Sequence, residues 1–198
     1  MTLRLDLLRH GETLAAALPN GGGLRGSLDD ALSPLGWQQM QASVASLSER
    51  RVWDRIISSP LQRCAQFAQS LSEQLSVPMQ LDADFKELHF GEWEGVSPAQ
   101  LMETDPEGLG RFWENPYRFT PPAGEPVADF ATRVLGGVQR VQQAYDGERV
   151  LLICHGGVMR LLLAQARGLP REQLLQVTVG HGALIELNVA THGELKEV

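Results

Sequence analysis

Two cysteines in 198 residues, Cys64 and Cys154, are too few and too far apart for a disulfide framework, and such usage implies a reduced, cytoplasmic setting. No apolar run is long enough to cross a bilayer. The first residues lead directly into an expected strand rather than a signal peptide, so no membrane partner is expected. Basic residues form no cluster and the formal charge is −7, which argues against a nucleic-acid partner. Any capture of an anion must therefore come from a local group of arginines rather than from the global field. The histidines, at 10, 89, 155, 181 and 192, include no pair at ligand-like short spacing, so the sequence implies neither a metal nor a cofactor. Repeats, low-complexity tracts and linkers are also missing. A chain of this length with 43% hydrophobic residues can bury one substantial core, and a single domain over residues 1–198 is expected.

What the chain does contain is concentrated at strand ends. Leu3, Leu5 and Leu7 alternate with Arg4 and Asp6, and Leu8 closes the run, so residues 3–8 read as a strand. A turn expected at Gly11 leaves Arg9 and His10 at its carboxyl end, the edge where open α/β sheets bind ligands. An arginine beside a histidine there fits a phosphate clamp next to a nucleophile; the plain alternative is a strand that ends in two polar residues. Residues 149–157 repeat the layout, with a charged start, a continuous apolar run fit for a strand buried on both faces, then His155, Gly156 and Gly157. The segment from Val158 reads as a helix closed by Gly168, so His155 sits where a strand hands over to a helix and the two glycine amides face an anion-favouring terminus.

A third strand, Arg55 to Pro60, precedes a helix whose apolar face is Leu61, Cys64, Ala68, Leu71 and Leu75. Arg63 falls in the first turn of that helix, a position slightly unfavourable against the helix dipole unless the charge has another use. In residues 85–95 carboxylates interleave with aromatics, and an apolar neighbourhood lets a carboxyl group act as an acid near neutrality, so Glu87, Glu92 and Glu94 are all candidates. Cys64 and Cys154 adjoin these positions but are read as packing residues.

The remaining order is α/β throughout. Ser33-Pro34 opens a helix expected to run to about Arg50. Residues 97–115 read as short helices interrupted at Asp105-Pro106, and 115–124 as a proline-bearing loop. Val127, Phe130, Val134, Val138, Val141 and Tyr145 mark one face of a longer helix, and Ala183–Val189 reads as the final strand. The pattern predicts a three-layer α/β/α sandwich around a mostly parallel sheet, with residues 89–124 as a cap over the carboxyl edge. Residues 21–26 match the Gly-x-Gly-x-x-Gly spacing of dinucleotide folds, yet they follow no strand and precede a poor helix start. They read instead as a loop that lets backbone and Arg25 approach a substrate. His181 precedes the last strand and is a pocket candidate, with a structural turn histidine as the alternative; His89 is expected to pack in the cap and His192 to be solvated.

RHGET at 9–13, SSPLQRCAQFA at 58–68, ELHFGEWEG at 87–95 and CHGGVMR at 154–160 together resemble the histidine phosphatase superfamily, which includes the cofactor-dependent phosphoglycerate mutases. The resemblance spans most of the chain and implies a phosphoglycerate mutase-like fold and a metal-independent phosphomonoesterase acting on a small molecule. It implies that His10 accepts the phosphoryl group, that Arg9 and Arg63 grip its oxygens together with the Gly156 region, and that His155 stabilises it in transit. Glu87 takes the acid role in that resemblance; Glu92 and Glu94 become structural or rim groups. The physical requirement is that one nitrogen of His10 stays free while the other donates to a fixed acceptor, a backbone carbonyl. Mutases continue after this glutamate with an arginine and a longer segment, whereas this chain has Leu88-His89-Phe90. The stretches 21–32 and 87–95 are most similar to the α-ribazole phosphate phosphatases of cobalamin nucleotide-loop assembly, although residues 14–20 are longer than the usual spacer. A broad-specificity phosphatase, a mutase and a non-catalytic binding relative are the alternatives.

Overall fold

The computed structural model describes residues 2–19, 21–48 and 53–198. Six strands form one sheet: β1 (Thr2–Arg9), β2 (Arg55–Ser58), β3 (Met79–Leu81), β4 (Arg149–Cys154), β5 (Leu184–Ala190) and β6 (Leu195–Glu197). Their spatial order is β3-β2-β4-β1-β5-β6. The first four are mutually parallel, and β5 and β6 add antiparallel strands at one side. Helices α1 (Pro34–Ser48) and α2 (Gln62–Leu75) cover one face. Helices α5 (Val127–Ala144) and α6 (Gly156–Ala166) cover the other, joined by the short α3 (Pro98–Thr104) and α4 (Pro106–Glu114). This is the three-layer, mostly parallel α/β architecture that the alternation of strands and helices predicts.

Each element follows from its residues. β4 lies in the middle of the parallel set, and Val150 to Cys154 are all buried, as a strand covered on both faces requires. Leu3, Leu5 and Leu7 of β1 pack toward α5 and α6, while Leu8 packs toward α1 and α2. Asp6, read from the alternation as the polar side of β1, is fully buried. Trp53 Nε1 donates to its Oδ2 at 2.6 Å and Arg149 Nε at 2.8 Å, the pairing that an ion removed from water needs. The Ser33 hydroxyl caps α1 by accepting from the Gly36 amide at 3.0 Å. The described part of α1 ends at Ser48, and the expected extension to Arg50 lies outside the described residues. The break at Asp105-Pro106 is real: the Asp105 carboxylate accepts from the Gly108 amide at 3.0 Å and starts α4.

Several expectations need correction. β3 and β6 are three residues each, too short to leave a periodic signature, so Ala183–Val189 is not the final strand. Leu75, at the last position of α2, is 36% exposed instead of joining the buried face. α6 begins at Gly156, two residues earlier than read, while Gly168 takes the left-handed φ of 62° expected of a residue that ends a helix. His89 is not packed away; its side chain is 45% exposed, 3.9 Å from Glu94. Gly11 serves close approach rather than a turn: its φ is not positive, and a Cβ there would lie 2.1 Å from the Gly36 carbonyl oxygen. The glycine pair lets the start of α1 press against the end of β1.

Candidate active site

Register assembles the site. β4 is flanked by β2 and β1, with Arg9 opposite Cys154 and Ser58 opposite Ile153. The ladder continues one residue further, with the His10 amide donating to Cys154 O at 3.0 Å and the Ser59 amide to Ile153 O at 3.0 Å. The three parallel strands therefore end level, and His10, Ser59 and His155 emerge side by side at the carboxyl edge.

His10 and His155 meet edge to face, with ring centroids 5.2 Å apart. His10 Nδ1 donates to the Gly11 carbonyl at 2.8 Å, the backbone acceptor that its sequence position predicts, which leaves Nε2 with the lone pair. Burial, then the charge of Arg63, holds the His10 pKa well below the ordinary 6.5; Arg9 and His181 push the same way and the Gly11 bond opposes them. His155 is fully buried, and the same two leading causes hold its pKa well below 6.5. Its Nδ1 accepts from Arg63 Nε at 3.2 Å, so the ring proton sits on Nε2 and points to the Ser59 hydroxyl at 2.7 Å.

Arg63 is itself fully buried. Its Nη1 donates to Leu28 O at 2.6 Å and Nη2 to Gly26 O at 2.8 Å, which ties the 24–28 loop to the sheet edge. Arg9 donates through Nη1 to Val179 O, while its buried Nε has no acceptor among the described residues. Gly156 faces that guanidinium, where a Cβ would lie 3.1 Å from Arg9 Nε. Glu87 is gripped by two amides, Leu88 N to Oε1 at 3.0 Å and Gly157 N to Oε2 at 2.9 Å. The Gly157 amide is thus occupied by a carboxylate instead of standing open, and a Cβ on Gly157 would lie 2.2 Å from Glu87 Oε1.

Beside Glu87 opens a cavity of about 420 Å³. Its walls are mainly apolar, with Leu24, Leu88, Phe90, Phe112, Trp113 and Phe130 among them; Arg160 and Gln176 supply the polar groups beyond Glu87 and Gly157. Phe112 is buried and packs edge to face on the buried Trp93, which stacks on Phe119, so these rings are also a local core. Trp113 is 51% exposed at the cavity wall.

The site brings together Arg9, His10, Arg63, Glu87, His155 and Gly156. His181 joins them, its ring centroid 5.8 Å from that of His10. Arg25 is held by Asp30 through Nε at 2.9 Å, so it is tied into its own loop. Glu94 is a structural anchor that accepts from the Ser27 and Leu28 amides, and Glu92 is exposed. Both cysteines are buried; burial pushes the Cys64 thiol up to about 12 and raises Cys154 as well, consistent with packing roles. The sequence reading missed two residues. Ser59 had a signal, since it follows β2 as His10 follows β1. Arg160 had none, because only the packing of α6 turns it toward the cavity, where Nε donates to Val177 O at 3.0 Å.

A sheet edge carrying two neutral histidines, buried guanidinium groups and an oriented carboxylate has the groups that phosphoryl transfer uses. The chain belongs to the histidine phosphatase superfamily (branch 1), whose model matches residues 5–197. It is 37% identical over 163 residues to a bifunctional protein of Mycobacterium tuberculosis, an alignment that covers 82% of this chain and 44% of the relative, so the chain spans less than half of that protein's length. It is 34% identical over 174 residues to the glucosyl-3-phosphoglycerate phosphatase of Mycolicibacterium vanbaalenii, covering 84% of this chain and 75% of the relative. The adenosylcobalamin/alpha-ribazole phosphatase of Escherichia coli is 28% identical over 188 residues, covering 94% of this chain and 90% of the relative. Among solved structures, Bacillus stearothermophilus YhfR superposes with a TM-score of 0.89 at 26% identity, covering 99% of this chain and 95% of that one. Among the described residues no helix is long and apolar enough to cross a membrane.

Proposed function

We propose that this protein hydrolyses a phosphomonoester through a phosphohistidine on His10, and that its substrate is α-ribazole 5′-phosphate. In the first displacement the Nε2 lone pair of His10 attacks phosphorus, the ester P–O bond breaks, and Glu87 gives its proton to the departing alcohol. In the second, the Glu87 carboxylate takes a proton from water, the water oxygen attacks phosphorus, and the P–N bond breaks to release phosphate. Arg9 and Arg63 hold the equatorial oxygens with His155, and residues 89–124 cap the site within a single domain. The observation that carries the chemistry is the buried Arg9 Nε, a donor with no acceptor among the described residues at the edge where His10 keeps Nε2 free. For the substrate, the aromatic cavity next to Glu87 fits a flat apolar ring better than a sugar, and its volume is in the range of small-molecule sites. The similarity to the E. coli alpha-ribazole phosphatase supports the same reading.

Phosphate release in excess chelator tests it, with α-ribazole 5′-phosphate, glucosyl-3-phosphoglycerate, sugar phosphates, nucleotides and 3-phosphoglycerate as the panel. The expected result is a kcat/KM for α-ribazole phosphate at least about tenfold above every other member, a gap worth about 1.4 kcal/mol. Preference for glucosyl-3-phosphoglycerate, whose carboxylate Arg160 would meet, discards the cobalamin substrate and keeps the chemistry. Primer-dependent phosphate exchange on 3-phosphoglycerate would indicate a mutase, and no turnover at all a binding protein.

The depressed histidine pKa values give a pH signature. His10 stays neutral below 6.5, so kcat/KM on an activated aryl phosphate holds level from pH 7.5 down through 6.5; a fall centred at or above 6.5 contradicts the assignment. Stability behaves differently over the same interval. Unfolded histidines take up protons near 6.5 that buried His10 and His155 refuse, so the unfolded state binds more protons and stability falls as pH drops below that value. The slope is up to about 1.4 kcal/mol per pH unit for each histidine, read from denaturant titrations.

A further inference from the structure

Glu87 sits in a stretch, residues 86–90, that belongs to no helix or strand, yet proton transfer requires its carboxyl group to be fixed to within a fraction of an ångström. Such a stretch cannot hold itself, because its backbone groups lack ladder partners. One ion pair supplies partners on both sides of Glu87, beside the bonds that Lys86 N makes to Ala83 O and Phe90 N to Glu94. Arg133, on α5, donates through Nη1 to Asp84 O at 2.7 Å and Lys86 O at 2.8 Å, and through Nη2 to Glu87 O at 3.1 Å. The same guanidinium binds both oxygens of Glu125, through Nε at 2.6 Å and Nη2 at 2.9 Å. Glu125 in turn takes the far end of the stretch: its Oε2 accepts from the His89 amide at 3.2 Å, and its own amide donates to His89 O at 2.8 Å. The backbone on both sides of Glu87 is therefore held by one planar, bidentate pair.

The pair has a fixed seat of its own. The Arg133 guanidinium lies 4.8 Å from the centroid of the Phe130 ring, one helical turn back on α5. Further along the helix, Gly137 leaves room for Phe85, whose ring carbon Cζ would be 3.0 Å from a Cβ there. Arg140 reaches the carboxylates of Asp82 and Asp84. α5 thus grips residues 82–89 along its length, with Arg133 bonding the backbone carbonyl of the residue that carries the acid.

The geometry points to Arg133, paired with Glu125, as a positioning residue that sets the Glu87 carboxyl group against the leaving oxygen. This rests on the acid role proposed above for Glu87. A purely structural pair would lower stability and affect all substrates alike. A positioning pair lowers catalysis selectively where the acid matters, on poor leaving groups such as a ribose 5′-hydroxyl, and spares an activated aryl phosphate whose leaving group departs unaided.

The test measures kcat/KM, which reports the first displacement, for Arg133→Met, Glu125→Gln, Glu87→Gln and the double variant Glu87→Gln/Arg133→Met on an alkyl phosphate and on p-nitrophenyl phosphate, with a thermal melt of each. Arg133→Met is expected to lose about 10- to 100-fold on the alkyl ester and under about threefold on the aryl ester. The double variant is expected to lose no more on the alkyl ester than Glu87→Gln alone, since both act through one group. Arg133→Lys keeps the charge but not the fork, and should recover little of the alkyl rate. If Arg133→Met does not fold, Glu125→Gln carries the comparison, with the same selectivity at smaller size. Equal losses on the two esters, or additive losses in the double variant, overturn the positioning role while leaving Glu87 as the acid. A Glu87→Gln variant that is itself unselective removes the acid assignment and the clamp with it.

Discussion

Replacing His10 with alanine is expected to lower kcat by at least about three orders of magnitude on every phosphoester, activated or not. No other group at the site can replace it. His155 and His181 are the imidazole rings beside His10; the Nδ1 of His155 is held by Arg63 while its Nε2 carries the proton that points to Ser59. His181 stands in an exposed turn, its ring tilted against His10, and among the described residues it has no fixed backbone acceptor to orient it. The fold should survive the change. His10 makes one local side-chain bond, to Gly11, and the strand around it is held by the ladder to β4 and β5. A melting temperature within a few degrees of the parent is the expected companion result. Rapid quench with a labelled ester should trap an acid-labile, alkali-stable phosphoenzyme in the parent and none in the variant. Residual turnover above a tenth of the parent rate would move the nucleophile elsewhere.

Glu87→Gln should lower kcat/KM, which reports the first displacement, by about 10²- to 10⁴-fold on alkyl esters and by much less on p-nitrophenyl phosphate. The amide cannot donate a carboxylic proton, so the departing alkoxide leaves unprotonated. The substitution is close to isosteric but not neutral. Both carboxylate oxygens of Glu87 accept backbone amides, and a glutamine can satisfy only one of them with its oxygen. A small loss common to both esters is therefore expected beneath the large selective one. Equal large losses on both would take the acid role away from Glu87. Comparing the slopes of log kcat/KM against leaving-group pKa measures the same distinction more finely, and the slope should steepen in the variant.

The parts of this protein legible in its sequence are those with local causes. Leu3 to Leu8 and Val150 to Cys154 announce strands because apolar side chains must leave water on one face or on both. Asp105-Pro106 announces a helix break because the cap and the proline ring act on adjacent residues. β3 and β6 escaped because three residues carry no period. Arg25 pointed into the pocket on sequence grounds, yet its partner Asp30 stands five residues away in the same loop, and only loop geometry decides that they pair. Arg133 and Arg160 look like solvated helix arginines in the sequence. Their roles depend on which loop packs against α5 and which wall α6 faces.

Local order in the chain therefore determined which side chains stand at strand ends: Arg9 and His10 after β1, Ser59 after β2, His155 after β4. Side-chain chemistry determined that such a set could handle a phosphate. The strand order decided the rest, by placing β4 between β2 and β1 so that His10 and His155 face one another. It also decided which donors the protein consumes itself, as with Arg63 on Gly26 and Leu28, and which it leaves open, as with Arg9 Nε. The lowered pKa of His10 belongs to the same class. Desolvation and the field of Arg63 are sums over everything packed around a group, and those neighbours come from distant parts of the chain. Periodicity reaches a few residues along the backbone; burial and charge pairing are decided by contacts that exist only once the sheet has closed.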